Sequence, residues 1–274
     1  MRDEQPDLVV SVLPAVNGLL AEAVASVGAR LEVVLTDWHS VHPFWLAHGV
    51  DHYTAPTESA RDDCVGFGAT AEAVDVVGIP VRRQFAEAGQ SRRAELLASM
   101  GLIPERFTIL AMVGAEGSPR ALRSVAELAK STVDGQLLVV CGHSHDLRQQ
   151  VEHLPARMPV RTVGYVENIA DLMRASDVLI TKAGGLTLAE AFCCRIPVVI
   201  HDLLPGQEAG NLEYVLGQQA VVYAPTPARL VRSVAQLAAD SARRQALAEC
   251  GARLARPQAA RQIVINLLRR LGKG

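Results

Sequence analysis

The amino-acid sequence predicts an α/β fold built on two parallel sheets, and three features carry that reading. Short runs of β-branched and leucine side chains alternate with amphipathic stretches along most of the 274 residues. Those runs are apolar throughout, the pattern of parallel strands covered on both faces by helices. Between Gly78-Ile79-Pro80 and Arg92 the chain turns polar, which divides it into a short first unit and a longer second one.

Taken in order, the first strand is predicted at Leu8–Val12, followed by a helical pattern over Ala15–Val27 and a strand at Leu31–Thr36. Further strands are predicted at Val74–Val77, Thr108–Val113, Gln136–Val140, Val160–Val163, Val178–Thr181, Val198–Ile200 and Ala220–Val222. Apolar residues recur at helical spacing over Arg92–Met100, Ala121–Thr132, Asp146–His153, Ile169–Ala175, Leu186–Cys194 and Gln207–Leu216. The expected domains are therefore residues 1–85, residues 86–256 and a terminal helix over 257–274. The second holds six strands, enough for a complete Rossmann-like unit; the first is short for a partner of the same kind.

Composition narrows the function. Hydrophobic residues make up 49% and charged residues 20%, as in a folded globule. The net charge of −2 gives no basic field, so no nucleic-acid partner is expected. No apolar run approaches the ~18 residues of a membrane span, and the start, MRDEQPDLVV, has no secretory apolar region. Five cysteines with no C-x-x-C read as reduced, packed thiols, and a cytoplasmic location is expected. From Ser241 onward there are eight basic residues and one acid, Glu249. Ala260, Ile263, Val264, Leu267, Leu268 and Leu271 recur there at helical spacing. Two readings follow: an apolar stripe packed on the body with arginines in solvent, or contact with an anionic membrane surface or another subunit.

Five stretches could carry chemistry. In TILAMVGAEGSPR a strand runs into Gly114 and Gly117 before a helix, a turn that lets backbone approach a phosphate. It has neither the G-x-G-x-x-G nor the G-x-x-x-x-G-K-[ST] spacing. In VLITKAGGLTLAE a strand ends at Lys182, Gly184-Gly185 turns the chain, and Thr187 and Glu190 sit in the first turns of a helix. A carboxylate at Glu190 can accept from vicinal hydroxyls, as in a ribose. In HDLLPGQEAGNLEY, Gln207 and Asn211 share a helix face and, with Glu208, suit sugar hydroxyls; capping and solvation would use the same residues. TDWHSVHPFWLAH places Asp37, His39 and His42 after a strand, where a side chain could serve as general base. His39 and His42 lack the further ligand that a metal site needs, so no metal is expected. In VGIPVRR, Arg82 or Arg83 could meet a diphosphate.

The order of these motifs is more specific than any one of them. TDWHSVHPFW, VGIPVR, the glycine turn, VGYVENIADLMRASDVLITKAGGLTLAE and IPVVIHDLLPGQEAGNLEYV together resemble the monogalactosyldiacylglycerol synthase and processive diacylglycerol glucosyltransferase family, from about Val33 to Val222. The resemblance implies a GT-B-like fold of two Rossmann-like domains, the N-terminal one incomplete, with a UDP-sugar in the cleft. It implies inverting hexose transfer to a hydroxyl acceptor, lipid-linked and diacylglycerol-like, at the inner face of a membrane with peripheral contact. No cofactor is implied. Gly164, Tyr165 and Val166 would hold the uracil through backbone groups. Gly184, Gly185, Leu186 and Thr187 would sit by the diphosphate and Glu190 by the ribose. Gly114, Glu116 and Gly117 would form the glycine turn, Arg82 would reach the diphosphate, and Gln207, Glu208 and Asn211 would read the sugar. On the residues themselves, the base is expected among Asp37, His39 and His42, with His42 favoured.

Two departures stand out. Ala115 occupies a place where the family carries another glycine. The family also begins with a strand, a histidine-bearing glycine-rich loop and a helix, and residues 1–28 hold no such loop. A partner chain supplying that part, or a nucleotide-sugar-binding role without catalysis, is the rival expectation. A UDP-sugar 2-epimerase is the rival enzyme class.

Overall fold

The computed structural model describes residues 4–87, 92–113 and 119–273. Contacts group these into two compact units: Met1–Arg82 with Pro205–Tyr214 and Arg256–Gly274, and Arg83–Leu204 with Val215–Ala255. The sequence reading assigns Pro205–Tyr214 to the second domain, but in the structure its packing partners belong to the first unit.

The first unit contains β1 (Leu8–Ser11), α1 (Asn17–Ala25), β2 (Arg30–Val34), β3 (His52–Ala55), α2 (Glu58–Gly66) and β4 (Val74–Val76). Its strands form a parallel sheet in the order β1-β2-β3-β4. One face buries Leu31, Val33, Leu35, Trp45, Tyr53 and Cys64 against Val24 of α1. Burial of Cys64 pushes its thiol up to about 12, so it behaves as a small apolar side chain.

The second unit contains α3 (Arg83–Ala86), α4 (Arg93–Ser99), β5 (Thr108–Met112), α5 (Pro119–Lys130), β6 (Gln136–Val140), α6 (His145–Glu152), β7 (Val160–Val163) and α7 (Ile169–Ala175). It continues with β8 (Val178–Lys182), α8 (Gly185–Cys193), β9 (Val198–Asp202), α9 (Ala209–Gly217, its first turns grouped with the first unit), β10 (Val221–Tyr223), α10 (Pro227–Ala239) and α11 (Ser241–Leu254). The six strands are all parallel, in the order β10-β9-β8-β5-β6-β7. This is the doubly wound order, and the strand order reverses between β5 and β8. Leu128 of α5 and Leu230, Val234 and Leu237 of α10 cover one face. Leu188 and Phe192 of α8 are buried as well. Helix α11 lies so close to α8 that a Cβ on Gly251 would sit 2.6 Å from Phe192.

The last helix, α12 (Ala259–Arg270), returns to the first unit. Ile263 and Leu267 pack on Val34, with Leu8 and Val77 beside them. The terminal helix thus follows the packing reading of its stripe. Its one-residue offset buries Ala259, while Val264 and Leu268 remain exposed. Next to this apolar contact Arg270 donates to Glu32 at 2.8 Å and pairs with Asp75, and Thr54 donates to Glu32 at 2.7 Å. Among the described residues no helix is long and apolar enough to cross a membrane.

Candidate functional site

The topology places one set of candidate residues at the carboxyl end of the six-stranded sheet. Open α/β sheets bind ligands where the strand order reverses, here beside β5 and β8. Strand β8 ends at Lys182, and Gly184 stands at the N-cap of α8. The dipole of a helix and the N–H groups of its first turn favour negative charge at that end. Leu186 is 49% exposed in the first turn. Glu190 is half-buried one turn further, between buried Ala189 and Ala191. Gly164 and Tyr165 follow β7, and the Tyr165 ring is exposed. Gly114, Glu116 and Gly117 lie outside the described residues; α5 begins just after them.

Two residues at this end carry no signal in the sequence reading. Asp202, at the end of β9, accepts from Arg120 of α5 at 3.1 Å and from the Leu203 N–H at 3.0 Å. His201 beside it is 2% exposed, its Nδ1 has no hydrogen-bond partner, and burial holds its pKa below the ordinary value. An apolar strand running into a histidine gives no sequence signal for that burial.

The second set lies in the first unit, on the loop after β2. Asp37 accepts from the Trp45 indole at 2.8 Å through Oδ2 and from the Asn211 amide at 3.3 Å through Oδ1. Asn211 Oδ1 accepts the Trp38 N–H at 2.7 Å, and the Trp38 carbonyl accepts from Thr57 at 2.6 Å. The Trp38 and Tyr214 rings stack with centroids 5.8 Å apart. Gly210 makes this approach feasible: a Cβ there would collide with the His39 carbonyl and lie 2.7 Å from Ser40 Cβ. Of the three residues predicted to read a sugar, Gln207 is exposed, while Glu208 and Asn211 are buried. Asn211 is therefore engaged in holding the loop.

The two histidines of the loop have different surroundings. His42 is exposed, and its Nδ1 accepts the Phe44 N–H at 3.2 Å, capping the 3-10 turn Pro43–Trp45. A neutral ring accepting at Nδ1 carries its proton on Nε2. His39 places Nδ1 2.5 Å from Ser59 Oγ and 3.9 Å from Asp63 Oδ2. A proton held on Nδ1 by that pair leaves Nε2 as an acceptor. Arg82 is exposed at the end of the first unit, and the neighbouring Arg83 pairs with Glu87 at 2.5 Å. Among the described residues no group of three or more His, Cys, Asp or Glu side chains is placed to hold a metal ion.

Solved structures of similar shape define the class of fold. UDP-glucose-bound HepE from Anabaena matches with a TM-score of 0.67 at 16% identity over 95% of this chain and 78% of its own. The Acinetobacter baumannii MurG structure matches at 0.69 with 17% identity over 98% and 77%. The Staphylococcus aureus MnaA–UDP structure matches at 0.75 with 12% identity, over 100% and 76%. The fold is thus GT-B-like, one that transferases share with epimerases.

The sequence comparisons are more specific. The profile described as glycosyl transferases group 1 matches residues 104–253, and that of monogalactosyldiacylglycerol (MGDG) synthase matches residues 1–81. A processive diacylglycerol beta-glucosyltransferase of Bacillus cereus (strain AH187) is 30% identical over 98% of this chain and 69% of its own. The Bacillus licheniformis enzyme of the same name is 32% identical over 88% and 62%, and a probable monogalactosyldiacylglycerol synthase of Glycine max is 30% identical over 96% and 52%. This chain belongs to the family of processive diacylglycerol glucosyltransferases and monogalactosyldiacylglycerol synthases. It spans about half to two thirds of the length of these relatives.

Proposed function

We propose that the chain transfers a hexose from a UDP-sugar to the hydroxyl of a diacylglycerol-like lipid, with inversion at the sugar carbon. The observation that carries the reading is the strand–Gly184-Gly185–α8 turn beside the reversal of strand order, in a chain of this family. The diphosphate would lie against the first turn of α8, near Gly184, Gly185, Leu186 and Thr187, with Glu190 taking the ribose hydroxyls. The glycine turn of Gly114, Glu116 and Gly117, together with Arg82, would complete the diphosphate contacts. As the glycosidic bond to the UDP oxygen breaks, negative charge grows on the departing diphosphate, and aligned N–H dipoles stabilise it without reorganising.

The acceptor hydroxyl must lose its proton as it attacks. Of Asp37, His39 and His42, the surroundings favour His39: both Asp37 oxygens already accept hydrogen bonds, and His42 Nδ1 is taken by the turn. Exposed Gln207 would touch the sugar, with Glu208 and Asn211 shaping the segment behind it. A lipid acceptor would bring the chain to a membrane surface peripherally, at the cytoplasmic face.

Titration calorimetry with UDP and a panel of UDP-sugars, followed by a transfer assay on diacylglycerol-containing vesicles, tests the proposal. UDP binding with sugar transfer supports it. Binding without transfer marks a donor-binding subunit, conversion of UDP-N-acetylglucosamine without acceptor marks an epimerase, and absence of uridine nucleotide binding overturns the donor assignment.

A further inference from the structure

The pairing of β6 with β7 sets the loops that follow them side by side, each with a glycine before an aromatic residue. Adjacent strands hold Val140 opposite Val163, and the Cys141 N–H donates to the Val163 carbonyl at 2.8 Å. Gly142 then turns the first loop with φ +56°, in the left-handed region that favours glycine. Gly164, in the second loop, faces the Gly142 carbonyl, and a Cβ there would meet it at ordinary van der Waals distance, 3.4 Å. The next residue in each loop is aromatic. The His143 and Tyr165 rings stack with centroids 4.6 Å apart and planes 13° from parallel. Both are exposed, Tyr165 by 57%. A pair that is stacked yet solvated buries little apolar area, so fold stability alone gives little reason for it.

From this geometry we infer that His143 is a positioning residue for nucleobase binding: it backs the Tyr165 ring so that the ring's open face takes the uracil. The inference rests on the UDP-sugar reading above. Strands in a sheet are about 4.8 Å apart, so the loop after β7 is roughly 10 Å along the carboxyl edge from β5, within the span of a nucleoside diphosphate whose phosphates lie at the strand-order reversal. An aromatic face binds a base by stacking, and a ring held flat by a second ring loses less freedom when the base arrives. Backbone groups at Gly164-Tyr165-Val166 would then read the base edge, while His143 touches only Tyr165.

The test compares UDP with inorganic diphosphate as ligands of the full chain. His143→Ala is expected to weaken UDP about five-fold or more and to leave diphosphate affinity and thermal unfolding unchanged. His143→Phe, which keeps a flat ring, is expected to hold UDP affinity within about two-fold of the unaltered chain. Unchanged UDP affinity in His143→Ala would overturn the inference, as would an equal loss of diphosphate or a failure of His143→Phe to restore binding. If the unaltered chain does not bind UDP, the functional reading itself fails along with this inference; that result appears before any variant is made.

Discussion

Asn211 holds Asp37 and the backbone of Trp38 with the two ends of one amide, although 174 residues of chain separate it from Asp37. Trp38 is buried, so truncating Asn211 leaves its N–H without a partner and out of water. We expect Asn211→Ala to lower unfolding free energy by about 1–3 kcal/mol, read by denaturant melts. If the loop serves the acceptor side, as proposed, the transfer rate should fall more than UDP affinity. Equal stability would show that the amide is not structural.

Gly210 and Gly206 lie four residues apart and should respond to alanine for different reasons. Gly206 has φ +82° and open space around it, so an added methyl costs backbone strain of about 1–2 kcal/mol. Gly210 needs no positive φ, but its methyl would run into the His39 carbonyl. That backbone is tied through Trp38 and Thr57 and has little room to retreat. Gly210→Ala should therefore displace the histidine loop and depress transfer, whereas Gly206→Ala should lower stability and spare the loop. A transfer assay paired with thermal melts separates the two.

The ion pairs under α12 offer a third test. Glu32 is 2% exposed and bound by Arg270 and Thr54, and burial still raises its pKa despite both partners. Arg270→Met strands that carboxylate, and a loss of about 3–5 kcal/mol is expected. Glu32→Met combined with Arg270→Met removes both charges and should recover most of the loss. A double mutant no more stable than Arg270→Met alone would mean that the guanidinium matters chiefly through Asp75.

Much of this architecture is legible in the sequence, and the exceptions have physical causes. Strands β5, β6, β8 and β9 of the larger sheet are buried along nearly their whole length, so their apolar runs announce them. Strand β3 is missed because His52 and Thr54 share the polar face under Arg270, leaving only Tyr53 and Ala55 as apolar signal. Helix α2 is missed because it buries just Ala60 and Cys64, two small residues one turn apart. The turn at Gly184-Gly185 is readable because a strand, a glycine pair and a helix adjoin in the chain. The tie between Asn211 and Asp37 is not, because no local pattern encodes a contact across 174 residues.

His201, which is buried, and His52, which is half-buried, set a pH dependence. His52 and His201 both have pKa values held below the ordinary 6.5, mainly by burial, with Arg270 lowering His52 further and Asp75 opposing it, and Asp202 opposing the shift at His201. Below 6.5 the unfolded chain takes up protons that the folded chain refuses. Their contribution is thus complete above 6.5 and lost as pH falls through the depressed values. Glu32 acts in the opposite sense: its raised pKa lets the folded chain hold a proton above 4.5 that the unfolded chain has released. Melting temperature should fall on acidification from pH 7.5 to 5.5. His201→Gln should flatten that slope whatever it does to stability at pH 7.5. An unchanged slope in His201→Gln would show that this ring protonates freely in the folded state.

The identity of the base is decided by comparing the two loop histidines. Nδ1 of His42 accepts a backbone N–H, which places its proton on Nε2; Nδ1 of His39 faces Ser59 and Asp63, which lets Nε2 accept. If general-base work falls to His39, His39→Ala should cut turnover by about 10²–10⁴-fold while UDP affinity stays constant. His42→Ala should loosen the Pro43–Trp45 turn and cost less. Asp63→Asn supplies the intermediate case: it keeps the shape but weakens the hold on the Nδ1 proton, so turnover should fall less than in His39→Ala and UDP binding should not change. A turnover loss confined to His42→Ala would reverse the assignment. Equal retention of turnover in both alanine variants would place the base outside this loop.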